Sequence, residues 1–272
     1  MAWRVAIGLA ATWLVAAIMA GSGVAAAHVA EPLSETIGIS QAGAPLVLYT
    51  LGQGPKRVLV LGGQHGGPEA NTVQLVSGLL DYFTAQPEQV PPGIELNVLL
   101  VANPDGLAVG SRQFASGVDP NRNWGGSDWR SDAYDSNAVF RVGLGGPEPF
   151  SEQETRALAD WVLTNRPAFV LNYHSAGGFM FGGREGLAAD LSRAYAEASG
   201  YYWPAPGTPG GGRSPLSYSA SGSMNVWLRE LGIPAVLVEL STPRSTEIER
   251  NLAGLHAVLQ VLSGGGLTTA TD

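Results

Sequence analysis

The chain has 272 residues, 45% of them hydrophobic, which is enough for one large domain with a packed core or at most two small ones. It contains no cysteine, which excludes disulfide bonds, thiolate metal ligands and a cysteine nucleophile. The formal net charge is −8 and no basic run is present, so the composition argues against nucleic acid as a partner.

The N-terminal segment has the pattern of a secretory signal peptide. A basic start is followed by an apolar run from Val5 to about Ala20 and by small residues that end at Ala27. An uncleaved membrane anchor is the alternative, but the run is short for a span and is diluted with Gly, Thr and Ser. We therefore expect a secreted or periplasmic protein without a stable membrane span after cleavage. The expected parts are a signal peptide at 1–27, one folded catalytic domain at 28–262 and a disordered tail at 263–272.

Predicted strands and helices alternate along the rest of the chain. Two of the helices begin at apparent capping boxes, Ser151 with Glu154 and Thr246 with Glu249. The alternation predicts a single α/β domain with a mostly parallel or mixed central sheet and helices on both faces. Such sheets bind ligands beyond the carboxyl ends of their strands. The predicted strands are 46–50, 57–61, 96–102, 169–173 and 235–240, and the predicted helices are 70–83, 151–165, 187–199, 224–231 and 246–262.

Two long loops rich in glycine and proline interrupt this order, at 125–149 and 203–215. Loops of this length in a compact domain are usually binding or lid segments. The alternative is a solvent-exposed insertion without function.

Two of the four histidines directly follow buried-looking strands. His65 lies after the second predicted strand, with Glu69 four residues later, and His174 directly follows the fourth strand. A short-spaced pair with one distant ligand is typical of catalytic zinc, because two histidines and one glutamate leave the fourth position open for water. The alternative for Glu69 is an ordinary acid at a helix N-terminus. The other histidines, His28 and His256, are interpreted as structural or incidental.

Six ordered segments between about Ile37 and Leu262 resemble the zinc carboxypeptidase family, the group that contains carboxypeptidase A. The resemblance implies a hydrolase with an α/β fold of the zinc carboxypeptidase type. It would bind one Zn²⁺ and cleave the last peptide bond of a peptide with a free C-terminus. The matching segments are Gly62-Gly63-Gln64-His65 through Glu69, Asn103-Pro104-Asp105-Gly106, 117–124, Tyr173-His174-Ser175, Tyr218 through Gly222, and Val238-Glu239-Leu240.

The resemblance also implies a metal site. The zinc ligands would be His65, Glu69 and His174, and Asp119 would orient His65 through its other ring nitrogen. Three residues separate His65 from Glu69, whereas the usual family motif has two. The glycines between them can absorb the additional residue.

Catalytic roles follow from the same resemblance. Glu239 would be the general base that takes a proton from water and passes it to the leaving amine. Its alternative is a charged residue that merely ends a strand, although its apolar neighbours would bury it. Arg112 would polarise the scissile carbonyl and stabilise the developing oxyanion.

The resemblance assigns four residues to the substrate. Asn121 and Arg122 would bind the free C-terminal carboxylate, for which a guanidinium offers two parallel donors. Tyr218 would close over the bound terminal residue, or else belong to ordinary loop packing. Asn225 lies near the position that lines the side-chain pocket, where it would form a neutral polar floor. A shift of one residue would place a neighbour there instead.

Other functions remain open on the same zinc core. One is removal of an acyl group from an N-acyl amino acid, or cleavage of cell-wall peptides with unusual linkages. A catalytically silent binding module is another, although no ligand or base is missing. Ser175 beside His174 does not indicate a serine hydrolase, because the chain has no Gly-x-Ser-x-Gly elbow. The oligomeric state is left open by the sequence.

Overall fold

The computed structural model describes residues 31–205 and 215–264. The expected signal peptide at 1–27 lies outside the described residues, as do 206–214 of the second long loop and 265–272 of the expected tail. Within the described part, no helix is long and apolar enough to cross a bilayer.

Nine strands and six α-helices follow one another in the described segments. The strands are β1 (Leu33–Ile39), β2 (Pro45–Gly52), β3 (Lys56–Leu61), β4 (Ile94–Leu99), β5 (Ala133–Tyr134), β6 (Phe140–Arg141), β7 (Phe169–Ser175), β8 (Phe179–Phe181) and β9 (Ala235–Leu240). The helices are α1 (Asn71–Ala85), α2 (Pro104–Val109), α3 (Gln153–Asn165), α4 (Gly186–Ser199), α5 (Met224–Glu230) and α6 (Ile248–Ser263).

Seven strands form one mixed sheet in the order β1-β2-β4-β3-β7-β9-β8. The four central strands β4, β3, β7 and β9 are parallel to one another, while β1, β2 and β8 join antiparallel at the two edges. The mixed sheet and the single α/β domain confirm the predicted fold class. The carboxyl ends of β3, β7 and β9 therefore lie side by side at one edge of the sheet.

Hydrophobic side chains on the two faces of the sheet form two separate core clusters. On β3, Val58 and Val60 belong to one cluster and Leu59 and Leu61 to the other, because successive side chains of a strand point to opposite faces. The first cluster includes apolar residues of α1, α4 and α6, and the second includes those of α3 and α5. Helices therefore cover both faces, as the sequence predicted.

The capping box predicted for α3 is wrong. The helix begins at Gln153, and Glu152 at its N-cap makes no side-chain capping hydrogen bond. The Ser151 hydroxyl instead accepts a hydrogen bond from Asn123 Nδ2 at 2.9 Å and donates to Glu152 Oε1. A tertiary contact with a distant loop has thus replaced the local cap.

The cap predicted for α6 is also wrong. The residue before the helix, Glu247, has a left-handed backbone with φ of 49° and no side-chain capping bond. Its carboxylate accepts hydrogen bonds from the Tyr201 hydroxyl and from the Ser241 backbone N–H. Glu247 therefore connects the loop after β9 to the helical layer.

Other differences from the prediction concern the edges of the sheet and the first long loop. The strand predicted at 96–102 runs from Ile94 to Leu99, and the edge strands β1 and β8 were not predicted. The loop at 125–149 contains the short hairpin β5–β6. These strands are short or largely exposed, so they lack the continuous apolar run that marks the central strands.

Candidate metal centre and active-site cleft

The sheet brings the predicted catalytic residues to a single edge. His65 follows β3 in the chain. His174 is the last but one residue of β7, and Glu239 is the last but one residue of β9. His174 and Glu239 are paired directly across the β7–β9 ladder. Two distant parts of the sequence therefore place an imidazole and a carboxylate next to each other.

Three buried side chains form a cluster suited to a metal ion. The possible ligand atoms of His65, Glu69 and His174 all lie within 4.8 Å of one another. The two histidine Nδ1 atoms are 3.2 Å apart, and they lie 2.9 and 3.1 Å from the carboxylate oxygens of Glu69. Ligands about 2.1 Å from a tetrahedral zinc are separated from one another by roughly 3.4 Å. The donor set and its spacing thus fit zinc.

The loop between the first two ligands accommodates the additional residue of this chain. Gly67 has a left-handed backbone with φ of 62°, and Gly67–Glu69 form a single 3-10 turn. A Cβ on Gly66 would lie 2.4 Å from the backbone carbonyl of Gly106. Because the backbones of Gly66 and Gly106 approach so closely, position 66 requires glycine. The 3-10 turn that follows brings Glu69 back towards His65.

Asp119 lies behind the first histidine. Its Oδ1 is 3.0 Å from His65 Nε2, and the Asn121 backbone N–H donates to the same oxygen at 2.8 Å. Its Oδ2 accepts from Arg112 Nε at 2.9 Å. Burial alone would raise the pKa of Asp119, but the charges of Arg112 and His65 hold it well below its usual value. Asp119 is therefore an ionised acceptor that fixes the orientation of the His65 ring.

Arg112 joins the metal cluster to the open cleft. Besides its bond to Asp119, its Nη1 donates to Glu69 Oε1. The side chain is 18% exposed and lines the cleft. The guanidinium thus lies beside the predicted ligands and reaches the surface where a substrate would bind.

Glu239 is a partly buried carboxyl group that faces the cleft. Burial, with a smaller effect from the nearby Glu69, raises its pKa to about 7, while His65 and Arg112 act in the opposite direction. Its carboxylate forms no ion pair with the described residues. A carboxyl group with a pKa near neutrality can both accept and return a proton.

Arg122 is a buried cation, with only 2% of its surface exposed. Its Nε donates to the Tyr134 carbonyl at 2.9 Å, Nη1 to the Asn121 carbonyl at 2.8 Å, and Nη2 to the Tyr218 hydroxyl at 3.3 Å. No carboxylate in the described part of the chain forms an ion pair with it. The guanidinium is therefore held in place by neutral oxygens, and no carboxylate among the described residues contacts it directly, although its charge contributes to lowering the pKa of Asp119.

Asn121 is oriented by α5, because its Oδ1 accepts the backbone N–H of Met224 at 3.0 Å. A cavity of about 920 Å³ opens in front of these groups. His65, Glu69 and Asp119 lie behind its wall. The other predicted site residues line it, namely Arg112, Asn121, Arg122, His174, Tyr218, Asn225 and Glu239.

Sequence reasoning missed one residue that supports the cleft and three that line it. Tyr134, on the β5–β6 hairpin, holds Arg122 through its backbone carbonyl, and its ring lies 6.4 Å from that of Tyr218. No motif marks it, since the contact depends on how the loop folds. Three arginines, Arg166, Arg184 and Arg229, line the end of the cleft away from the ligands. Of these three arginines, only Arg229 could have been found from the sequence. It lies four residues after Asn225 on a predicted helix and so on the same helix face.

Comparison with known proteins agrees with the geometry of the site. The family model described as zinc carboxypeptidase matches residues 33–249. Murein peptide amidase A of Escherichia coli (strain K12) is 33% identical over 151 residues, which cover 53% of this chain and 59% of that protein. The chain thus spans about three fifths of that relative. Murein peptide amidase A of Vibrio campbellii is 29% identical over 233 residues, 82% of this chain and 86% of that protein.

Solved structures show the same fold. The murein-tripeptide amidase of Escherichia coli O157 superimposes with a TM-score of 0.65 at 27% identity, covering 86% of this chain and 93% of that one. Bovine thrombin-activatable fibrinolysis inhibitor, in complex with tick carboxypeptidase inhibitor, gives a TM-score of 0.66 at 19% identity over 86% and 88% of the two chains. At that identity the second likeness concerns the fold alone.

Proposed function

Because this chain belongs to the zinc carboxypeptidase family, whose members are zinc-dependent hydrolases of peptide bonds, we propose that it removes the C-terminal residue of murein-type peptides with a free terminal carboxylate. Murein is suggested by the names of the relatives in Escherichia coli and Vibrio campbellii. Cleavage at the C-terminus is suggested by the cleft. The two parts of the proposal have separate support.

The observation that carries the exopeptidase proposal is that the buried guanidinium of Arg122 contacts only neutral oxygens among the described residues. A buried ion without a counterion costs several kcal/mol, so such groups are normally paired. A substrate carboxylate at this point would supply the missing partner and could accept two parallel N–H bonds. Asn121 and Tyr218 border the same space and would complete the site. A peptide whose terminal carboxyl group is amidated would leave the charge unpaired.

His65, Glu69 and His174 would hold the zinc ion, with the separations described above. When bound, the ion supplies Lewis-acid activation of water and of the scissile carbonyl. Asp119 can only accept hydrogen bonds when ionised, so it keeps the proton of His65 on Nε2 and leaves the Nδ1 lone pair free. Burial lowers the pKa of His174, which favours the neutral ring that a metal ligand requires.

Glu239 would move the proton in the reaction. Its carboxylate faces the cleft beside His174 and would accept a proton from the attacking water, then deliver it to the leaving amine. Arg112 would stabilise the negative charge that develops on the carbonyl oxygen, since its guanidinium is a fixed cation at the edge of the ligand cluster. Arg112 is held in place by Asp119 and Glu69 before substrate binds.

We also propose that the protein acts outside the cytoplasm after removal of residues 1–27. A murein substrate in the cell wall is consistent with the signal-peptide pattern of the sequence. N-terminal sequencing of the protein recovered from the cell exterior, with a mature start at His28, tests this part.

The function can be tested with matched substrates and zinc-loaded protein. Three substrates are needed: a murein tripeptide, the same tripeptide with an amidated terminal carboxyl group, and an N-acyl amino acid. We expect release of the last residue from the free tripeptide only, and loss of that activity with a chelator. Equal turnover of the free and amidated tripeptides would overturn the exopeptidase proposal. Preferred turnover of the N-acyl amino acid would support the deacylase alternative, and no turnover of any substrate would support a silent binding module.

A further inference from the structure

The segment Asn103-Pro104-Asp105-Gly106 leads from β4 into α2, and the reaction proposed above assigns it no task. Asn103 is the N-cap of α2, where its Oδ1 accepts the backbone N–H of Gly106 at 2.8 Å. The residue is completely buried. A cap requires only the side-chain oxygen, so the amide nitrogen of Asn103 is available for a second task.

That nitrogen contacts the loop that carries Arg112. Asn103 Nδ2 donates to the carbonyl oxygen of Gln113 at 3.1 Å and to that of Arg112 at 3.5 Å. The loop at 110–118 contains neither helix nor strand, so no regular ladder of backbone hydrogen bonds holds these carbonyl groups. The side chain of Asn103 therefore fixes the backbone at the point from which the guanidinium extends.

The backbone of Asn103 is in turn attached to the segment that leads to the first histidine. Its N–H donates to the carbonyl of Gly63 at 2.9 Å, two residues before His65. A chain of hydrogen bonds thus runs from the segment of His65 through Asn103 to the backbone of Arg112. The position of the guanidinium is set relative to the metal cluster through this chain.

The rest of the motif restricts the movement of Asn103. A Cβ on Gly106 would lie 2.3 Å from Asn103 Nδ2, so this position requires glycine. Asp105 accepts the hydroxyl of Ser40 at 2.5 Å and the backbone N–H of Ala42 at 2.8 Å, which ties the start of α2 to the turn between β1 and β2. These contacts leave the amide of Asn103 little freedom to turn away from Arg112.

We propose that Asn103 is a positioning residue for Arg112. The inference rests on the proposed function, in which the guanidinium of Arg112 stabilises the charge that develops on the carbonyl oxygen. Asp119 and Glu69 hold the end of the Arg112 side chain, and Asn103 holds its backbone. Both attachments are needed, because a donor misplaced by about 1 Å can cost on the order of 10²-fold in rate.

Asn103→Ser separates positioning from capping. Serine is also a good N-cap, so α2 still forms, but its shorter side chain does not reach the carbonyls of Arg112 and Gln113. We expect kcat of the zinc-loaded protein for a free-carboxylate peptide to fall about tenfold or more, with KM changed by less than about twofold. A kcat equal to that of the parent would overturn the proposal.

Asn251→Ser is the matched control. Asn251 is also completely buried, and its Nδ2 donates to the consecutive carbonyls of Thr246 and Glu247 at 3.2 and 2.9 Å, but it belongs to α6 and does not line the cleft. This variant should lose stability in urea unfolding and keep the kcat of the parent. An equal fall of kcat in both variants would mean that loss of any buried amide has this effect, and would refute a specific role of Asn103.

A double-mutant cycle tests whether Asn103 acts through Arg112. Arg112→Gln removes the guanidinium, so Asn103→Ser should have little further effect on kcat in that background, although it lowers kcat in the parent. The same factor in both backgrounds would show that the two residues act independently and would contradict the assignment.

A measurement without turnover separates this inference from the proposed function. The ¹⁵N NMR signal of the Arg112 Nε–H, identified by its loss in Arg112→Gln, reports on the bond to Asp119 through its rate of exchange with solvent. We expect faster exchange in Asn103→Ser and the parent rate in Asn251→Ser. If no peptide is hydrolysed but the exchange changes in this way, the proposed function fails and the positioning stands. If peptides are hydrolysed while both the exchange and kcat of Asn103→Ser match the parent, the positioning fails alone.

Discussion

Asp119 contacts His65 on the side of the ring opposite to Glu69, with Oδ1 3.0 Å from Nε2. The contact sets which ring nitrogen carries the proton and hence which one can bind metal. We predict that Asp119→Asn lowers zinc affinity about 10- to 100-fold, as loss of such a partner generally does. Competition with a chelator of known affinity measures the effect.

The matched control is Asp135→Asn. Asp135 also pairs with an arginine, since its Oδ2 lies 3.0 Å from Arg141 Nε, but it belongs to the hairpin and not to the ligand cluster. Its variant should bind zinc like the parent. Equal zinc affinities for the parent and both variants would show that Asp119 does not orient the ligand.

A second prediction concerns the proton acceptor. Glu239→Gln keeps the shape of the side chain but removes its basicity, so kcat should fall by about 10²- to 10⁴-fold. Zinc content should be unchanged, because Glu239 does not belong to the ligand cluster. The control is Glu197→Gln, at an exposed position on α4. Undiminished hydrolysis by the zinc-loaded Glu239→Gln protein would refute the assigned role.

The raised pKa of Glu239 also predicts that the free energy of unfolding of the metal-free protein falls as the pH rises. A carboxyl group with a pKa of 4.5 in the unfolded chain and about 7 in the fold favours folding when neutral, and this contribution is lost as pH rises through 7. Glu239→Gln stays neutral throughout. The loss of unfolding free energy from pH 5 to pH 8 should therefore be about 2 kcal/mol smaller in the variant. Urea unfolding with a chelator present measures it, and identical losses in the two proteins would count against the shifted pKa.

Arg122 provides a prediction about substrate discrimination. Replacing it by Gln removes the positive charge, and charge-assisted hydrogen bonds contribute about 1.5 to 3 kcal/mol. We expect kcat/KM for a free-carboxylate peptide to fall about 10- to 100-fold, with a much smaller change for the amidated peptide. Arg156→Gln is the control, since Arg156 also donates to backbone carbonyls but lies outside the cleft. Equal losses for the two peptides would mean that Arg122 supports the fold and does not bind the carboxylate.

The central part of the fold was predictable because burial on both faces leaves a continuous apolar run. Strands such as β3, β7 and β9 carry that pattern, and their carboxyl ends bear His65, His174 and Glu239. The edge strand β1 was missed because its exposure leaves no such run, and β8 was missed because it has only three residues. The cap at Ser151 was predicted wrongly because its hydroxyl is engaged by Asn123, a contact between parts of the chain 28 residues apart that local sequence does not encode.

The site was predictable to the extent that its residues lie in ordered motifs. The metal cluster, Asn121, Arg122, Tyr218 and Glu239 fall in such segments, whereas Arg112 and Asn225 were assigned only by position. The structure brings all of them to one cleft, and their roles stay predictions. Arg166 and Arg184 belong to no motif. Arg166 follows α3 shortly before β7, and Arg184 lies shortly after β8. Only the pairing of β7 and β8 with β9 brings these two arginines to the end of the cleft away from the metal cluster.

The loop between His65 and Glu69 provides the last prediction. Gly67 has a positive φ, and a Cβ there would lie 2.5 Å from the backbone carbonyl oxygen of Gly110. Gly67→Ala therefore adds a backbone clash to the cost of a left-handed conformation, and the adjustment must move Glu69. We expect lower zinc affinity together with a stability loss greater than the roughly 1 kcal/mol that a left-handed alanine alone costs.

Gly93→Ala separates the two effects. Gly93 also has a positive φ, 86°, but a Cβ there would meet no atom within 4 Å, so only the conformational cost applies. Its variant should lose stability modestly in urea unfolding and keep the zinc affinity of the parent. If Gly67→Ala behaved like Gly93→Ala in both measurements, the close packing of the 3-10 turn could not be what places Glu69 beside His65. The additional residue in this motif would then be accommodated by a loop free to adjust.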